Sequence, residues 1–390
     1  MKKRKDKNGI VLRKGERQLD NGHYQYRYTD AFGDRHSFNA ETLNELRRIE
    51  QQEERDSNEG IDYAAGNVSV IDLVKRYLQL KQCSRYNTRV NYNTVVRIIE
   101  KEQFGRRKIR DIKVSDAKMW FIDLQKRGFR YCTITNIRGV VKPAFDLAWN
   151  EEVIHRNPFS FKITDAIVND TIPRIALTPE QEAEWMDFIR TDPTYSKYYD
   201  EFVVLFGTGV RVSEFCGLTR RDLDFEGRKI HVDHQLCRER LKDENRYFIE
   251  RTKTESGKRD IPMSDEVYRA LQNIVRNRPK VKTELVLNGY TGFILIDKNG
   301  KPKVALHIEN EFRWAEHKFR KLHPDSTLPH ITPHVARHTF STRNAHAGMD
   351  VKALQYLMGH SDAGVTLNVY THTSYDFAVD QIAKLRKKAE

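Results

Sequence analysis

From Gly22 to Phe38, "GHYQYRYTDAFGDRHSF", aromatic and polar residues alternate on both sides of a Gly-containing turn. That period of two predicts a β-hairpin. A preceding strand around residues 10–18 brings the number to three. Asn39 is then placed to cap a helix over "AETLNELRRIEQQEERD", in which Leu43, Leu46 and Ile49 share one face. The polar stretch "ERDSNEGIDYAAGN" reads as a linker. Beyond it, from Val68 to Asn150, the apolar positions change to a helical period: Ile71, Val74 and Leu78, then Val95, Ile98 and Ile99, then Met119, Phe121 and Leu124. A second break, "NPFSFKITDAIVNDTIPRIA", ends at "LTPEQ", where Thr178 caps a new helix, Pro179 stands in its first turn and Gln181 completes a capping box. The remainder mixes helices with short strands at Lys229–Val232, Tyr247–Arg251 and Asp260–Met263.

These patterns predict a multidomain α+β protein: a three-stranded sheet with a helix over 1–60, an all-helical domain over 67–165, and a mixed, mainly helical domain over 175–375. A terminal helix over 376–390 follows, with Phe377, Ile382 and Leu385 on one stripe. A length of 390 residues fits two or three domains. The 68 Lys and Arg against 55 Asp and Glu give a net charge of +13, which suits a polyanionic partner. The excess is concentrated, with 20 basic against 11 acidic residues over 67–172. Arg85, Arg89, Arg106, Arg107 and Lys108, lying between the apolar positions, are therefore candidate phosphate contacts. In the hairpin, Tyr26 and Arg27 are candidate DNA contacts, since small sheets packed on a helix can read a DNA groove. No stretch reaches the ~18 apolar residues of a membrane span, so a soluble, cytoplasmic, DNA-associated protein is expected. Cys83, Cys132, Cys216 and Cys237 fit no zinc spacing and read as reduced thiols.

Four pieces of the last domain carry candidate chemistry. "GTGVRVSEF" sets Arg211 after a Gly-Thr-Gly turn with Glu214 three residues on. "RTKTESGKRDIPM" reads as a hairpin with Lys253 near its tip. In "ITPHVARH", Thr332 and Pro333 open a helix, so that His334 and Arg337 face the same way. "GHSDAGVTLNVYTH" puts Tyr370 ten residues after His360. Singly, each has an ordinary structural explanation in salt bridges and helix caps. A metal site of His334, His338 and His360 lacks a carboxylate or thiolate ligand at a convincing spacing. Jointly, the pieces suit attack on a phosphodiester without metal or cofactor. Two guanidiniums hold the non-bridging oxygens, a lysine protonates the leaving 5′-oxygen, and a histidine takes the phenol proton. His360 binds a further phosphate oxygen, and a tyrosine attacks.

The order Arg, Lys, His-x-x-Arg, Gly-His, Tyr resembles the tyrosine recombinases, or phage-type integrases, over about residues 175–375. "TPHVARHTFSTR" and "ALQYLMGHSDAGVTLNVYTH" are most similar to the integrases of conjugative transposons. Ala336 stands where many members have Leu, and the step from His360 to Tyr370 is one residue longer than in many relatives. The resemblance implies that Arg211, Lys253, His334, Arg337 and His360 surround the scissile phosphate, with Tyr370 as nucleophile. It implies a homotetramer on two duplexes, an N-terminal module on arm repeats, a helical module on the core site, and a terminal helix docked on a neighbouring protomer. It leaves room for an accessory excision factor. A type IB topoisomerase and a non-catalytic DNA-binding regulator on the same fold are the rival readings.

Overall fold

The structure, a computed structural model, describes residues 4–29, 35–58, 67–81, 85–171, 175–240, 245–252 and 255–370. The chain divides into two compact units, Met1–Ile172 and Pro173–Glu390. Of the linker predicted over 54–67, residues 54–58 instead continue a helix, while 59–66, Lys253 and the terminal helix at 376–390 lie outside the described residues.

In the first unit, β1 (Glu16–Gln18), β2 (Tyr24–Thr29) and β3 (Arg35–Ala40) form an antiparallel sheet in that order. The first strand is three residues long, much shorter than the predicted 10–18. Helix α1 (Leu43–Asn58) packs Leu43 and Leu46 against Tyr24 and Ala40, with Ile49 alongside. Asn39 does not cap it. Asn39 belongs to β3, where its Oδ1 accepts a hydrogen bond from Gln25 Nε2 (2.8 Å), and Thr42 Oγ1 accepts from the Glu45 N–H instead (3.2 Å). The alternating pattern runs on to Ala40, and the strand ladder claims Asn39 before the helix can.

Strand alternation sorts the sheet into two faces. Glu16, Tyr24 and Tyr26 lie towards α1, where Arg47 of the helix meets Glu16 at 3.0 Å. Arg17, Gln25, Arg27 and Asn39 line the other face, with Arg17 Nε donating to Gln25 Oε1 (2.8 Å). Beside Glu16, Glu50 is buried with its Oε1 lacking a hydrogen-bond partner. Burial, and next the Glu16 charge, push the Glu50 carboxyl up to about 7. An acid whose folded pKa exceeds its unfolded value costs stability as pH rises from the unfolded value through the folded one. Glu50→Gln removes that cost at pH 8, a gain on the order of 1 kcal/mol or about fivefold slower amide exchange in β1–β3, and gives no gain at pH 4. Hydrogen exchange of variant and wild type at both pH values measures it; equal exchange at pH 8 would contradict this account of Glu50.

The helical segment contains α2 (Val70–Leu80), α3 (Tyr86–Lys101), α4 (Val114–Lys126) and α5 (Tyr131–Asn150). Their apolar stripes converge on Phe121, Phe145 and Phe159. The predicted faces hold, except that Met119 is exposed on α4 while Trp120 turns inward.

The second unit opens with α6 (Pro179–Thr191), capped as predicted: the Gln181 N–H donates to Thr178 Oγ1 (3.2 Å) and the Thr178 N–H to Gln181 Oε1 (3.0 Å). Then come α7 (Tyr199–Thr208), α8 (Val212–Gly217), β4 (Leu223–Asp224), β5 (Lys229–Val232), β6 (His234–Arg240), β7 (Asn245–Arg251) and β8 (Arg259–Pro262). They are followed by α9 (Asp265–Asn277), α10 (Ala305–Leu322), α11 (Pro333–His346), α12 (Val351–Met358) and α13 (Ala363–Tyr370). The core surrounds Phe202, which stacks on Phe312 at 4.2 Å, and Ala336 is fully buried in it. A smaller Ala side chain at 336 is thus a packing choice.

The predicted hairpin around Lys253 is corrected. β7 pairs antiparallel with β6, whereas β8 pairs antiparallel with β5, and only Asp233 separates β5 from β6. The Thr252 N–H still donates to Asp233 O (2.9 Å), and pairing resumes at Arg259 in the same direction. β7 and β8 therefore lie along one strand line, and the true hairpin is β6–β7. Long-range partners decide this, and a local turn pattern cannot reveal them.

Candidate active site

Two left-handed helix ends build the centre. Gly209 (φ +62°) closes α7 and Gly359 (φ +59°) closes α12. A Cβ at Gly209 would sit 2.5 Å from Phe340, and one at Gly359 would sit 3.0 Å from Arg259 Nη1, so both the backbone angle and the space call for glycine. Arg337, buried on α11, fills the gap between the two ends: its Nη1 donates to Gly209 O (2.6 Å) and its Nη2 to Met358 O. Carbonyls at helix C-termini carry partial negative charge and suit a cation.

Arg211, just before α8, donates from Nη1 to Glu214 Oε1 (2.8 Å) and from Nη2 to Gly359 O (3.0 Å). Glu214 is 3% exposed and also receives Arg259 Nη2 at 2.8 Å. Arg259 Nε donates to Leu357 O (2.7 Å), and its Nη1 to Gly257 O (3.0 Å) just ahead of it in the chain. One carboxylate thus pairs with two guanidiniums, and with Arg337 nearby the cluster keeps a net positive charge for an anion. Burial opposes ionisation of Glu214, but the Arg259 charge and hydrogen bonds, and then those of Arg211, outweigh it and hold the carboxyl below its usual range. Burial, and next the Arg211 charge, bring Arg337 down to about 9, so it remains cationic at neutral pH.

His360 follows Gly359. Its Nε2 lies 3.0 Å from Arg337 Nη2 and its Nδ1 lies 3.0 Å from Thr366 Oγ1. Burial, then the charges of Arg337, Arg211, Arg259 and His334, lower its imidazole to about 4, and the ring is neutral at pH 7. His334 is exposed in the first turn of α11, after the Thr332 cap (Val335 N–H to Oγ1, 3.2 Å). α13 begins three residues beyond His360 and ends at Tyr370. The structure thus brings together Arg211, His334, Arg337 and His360 from three separate sequence pieces; Lys253 is outside the described residues, and only the backbone of Tyr370 is within them.

Sequence reasoning missed Arg259 and Thr366 and read Glu214 only as a salt-bridge partner. For Glu214 the three-residue step from Arg211 was the available signal; an arginine in a strand and a threonine in a helix gave none. A different trio from that weighed for a metal gathers among the described residues: Asp222, Asp233 and His234. There, His234 Nδ1 already meets Asp233 (2.6 Å) and Nε2 meets Gly217 O (2.8 Å), so the ring's lone-pair and proton positions are taken up by protein. A cavity of about 580 Å³ beside Tyr198, Lys303 and Trp314 includes none of the reaction residues.

The basic candidates of the helical segment fall in two groups. Arg85 and Arg89 lie at the start of α3, whereas Arg106, Arg107 and Lys108 lie past its end, about 24 Å away by helix rise. Arg89, Arg106 and Lys108 are exposed, while Arg107 is engaged with Asp116 at 3.1 Å. In the sheet, Arg27 is on the helix-free face and Tyr26 is on the helix side, half-buried.

Comparison with known proteins gives concordant matches. Residues 176–376 match the phage integrase family, and residues 1–57 match the DNA-binding domain of the Tn916 integrase. The chain is 37% identical to the transposase from transposon Tn916 of Enterococcus faecalis over 401 aligned positions, covering 100% of this chain and 98% of that protein. It is 25% identical to a tyrosine recombinase XerC of Bacillus subtilis over 78% of this chain and 91% of the relative. Among solved structures, the Tn1549 transposon integrase in complex with a circular intermediate DNA superposes with a TM-score of 0.76 at 40% identity, covering 81% of this chain and 99% of that one. A lambda integrase on a core site shares the fold at 16% identity, with a TM-score of 0.56 over 79% and 97% of the two chains.

Proposed function

The chain belongs to the phage integrase family and is a tyrosine-type site-specific recombinase, and we propose that it integrates and excises a conjugative transposon by cutting DNA through a 3′-phosphotyrosine at Tyr370. The observation that carries this reading is the convergence of Arg211, Arg337 and His360 on the Gly209 and Gly359 turns, with α13 leading from that point to Tyr370. Arg211 and Arg337 hold the non-bridging oxygens and the charge that grows on them. His334 accepts the phenol proton as the Tyr370 oxygen bonds to phosphorus, the bond to the 5′-oxygen breaks, and Lys253 protonates that oxygen. The freed 5′-hydroxyl of a partner strand then attacks the phosphotyrosine, so bond energy is conserved without a nucleotide cofactor.

In the same proposal, residues 1–60 bind arm repeats through the polar sheet face bearing Arg27. Residues 67–165 take the core site through Arg89, Arg106 and Lys108, and 376–390 dock on the next protomer of a tetramer spanning two duplexes. The setting is the bacterial cytoplasm, with an accessory excision factor as a further partner; among the described residues no helix is long and apolar enough to cross a membrane. The test is strand joining between two labelled duplexes carrying the element ends. Recombinant strands are expected; relaxation of supercoiled plasmid without exchange would favour a topoisomerase, and binding without covalent attachment would favour a regulator.

Lys253 is proposed as the general acid because Gly257, four residues on, is tied to the arginine cluster through Arg259, which also meets Glu214. Lys253→Ala slows cleavage of an ordinary phosphodiester by about 10²- to 10⁴-fold. On a substrate with a 5′-bridging sulfur the leaving group needs no proton, and Lys253→Ala regains near wild-type cleavage whereas Arg337→Ala does not. Equal Lys253→Ala defects on the two substrates would remove it from this role.

A further inference from the structure

We propose that Thr366 is a positioning residue that holds the His360 ring in place and lets it reverse its hydrogen-bonding sense when a phosphate enters the site. This rests on the assignment of His360 to the phosphate site.

A guanidinium has donors only, so the 3.0 Å contact from Arg337 Nη2 requires a lone pair on His360 Nε2. The proton of the neutral ring is then on Nδ1, which donates to Thr366 Oγ1 at 3.0 Å. In this state the Nε2 edge is an acceptor, and a phosphate oxygen, also an acceptor, cannot bind it. To hold phosphate, Nε2 must carry hydrogen. It gains one either by moving the proton from Nδ1 to Nε2 through exchange with water, with no net uptake, or by taking up one proton from solvent. In the first case Nδ1 accepts from the Thr366 O–H; in the second it continues to donate to the same oxygen. A hydroxyl serves both states because it is donor and acceptor, whereas a carboxylate could serve only one and a hydrocarbon neither.

Thr366 is fully buried, so water is not at hand to replace its hydroxyl. The His360 backbone is braced independently: its N–H donates to Gln355 O (3.2 Å) and its carbonyl accepts from Gln355 Nε2 (3.1 Å). The ring orientation therefore depends on Thr366 more than the backbone position does. Thr366 also lies on α13, one helical turn before Tyr370, so the same contact joins the phosphate-binding histidine to the helix that ends at the nucleophile.

The test uses the full chain on a nicked duplex from the element end, which traps covalent product in a single turnover. Thr366→Val, similar in shape but without the hydroxyl, should slow covalent attachment about tenfold or more with duplex affinity unchanged. Thr366→Ser should restore the rate to within about threefold, since it returns the hydroxyl. In a His360→Ala background, Thr366→Val should cost nothing further. ¹⁵N spectra of the DNA-free protein should show His360 protonated at Nδ1, as the Arg337 contact at Nε2 requires. An equal cost of Thr366→Val with and without His360, failure of serine to restore the rate, or a proton on Nε2 in the free protein would each overturn the proposal. If His360→Ala is impaired and Thr366→Val is not, this proposal alone fails; if His360→Ala cleaves normally, the phosphate role of His360 fails and this proposal with it.

Discussion

Replacing Tyr370 by phenylalanine is expected to abolish covalent attachment to DNA, a loss on the order of 10⁴-fold or more, while duplex binding stays within about twofold. The substitution removes one oxygen and keeps the ring, so phosphate contacts by Arg211 and Arg337 persist. The chain has 17 tyrosines, and composition does not single one out. Tyr370 is distinguished by its tether: α13 starts just past His360, whose ring meets Arg337, so the helix that ends at Tyr370 is rooted in the arginine cluster. Tyr375, five residues on, is the control, and its phenylalanine variant should cleave at the wild-type rate. Gel assays of the trapped complex on a nicked duplex, with affinity measured in parallel, separate these results. Cleavage lost with Tyr375→Phe and kept with Tyr370→Phe would reverse the assignment.

Glu214→Gln carries the second large effect. Its carboxylate, 3% exposed, is the counter-charge between Arg211 and Arg259, each at 2.8 Å. The amide keeps the volume but leaves Arg211, Arg259 and Arg337 without that charge. Breaking a buried ion pair by neutralising one partner typically costs about 3–5 kcal/mol, and at this domain size that lowers the unfolding midpoint by roughly 10 °C. Cleavage should fall about 10²-fold as Arg211 loses its aim. The pH dependence has a definite sign. Glu214 is held below its ordinary carboxylate range, so its contribution is present above that range and is lost as pH falls through the depressed folded value. Calorimetry of wild type and variant should show their midpoints converging in acid and separated at pH 7. A variant as stable as wild type at pH 7 would mean the carboxylate is not the counter-charge.

Much of this centre was legible because its chemistry lies in short local patterns. Thr332 and Pro333 announce a helix start, which fixes His334 and Arg337 on α11, and Gly-Thr-Gly marks the turn before Arg211. The capping box at Thr178 and the stripe of Leu43, Leu46 and Ile49 were legible for the same reason: their partners are within one or two turns. What escaped depends on distant partners. Asn39 looked like a helix cap until Gln25 of the neighbouring strand claimed it. Lys253 looked like a hairpin tip until β7 and β8 proved to pair with two different stretches of one strand line. Arg259 gave no local sign that its side chain reaches Glu214, 45 residues earlier, and Leu357, 98 residues later.

The most direct test of the central claim is the identity of the protein–DNA bond. The full chain is trapped on a nicked duplex bearing an element end, digested, and the DNA-linked peptide sequenced by mass spectrometry. A 3′-phosphate joined to Tyr370, with a free 5′-hydroxyl on the other side of the break, is the predicted result. A bond to any other residue, or a 5′-phosphate linkage with a free 3′-hydroxyl, would contradict it.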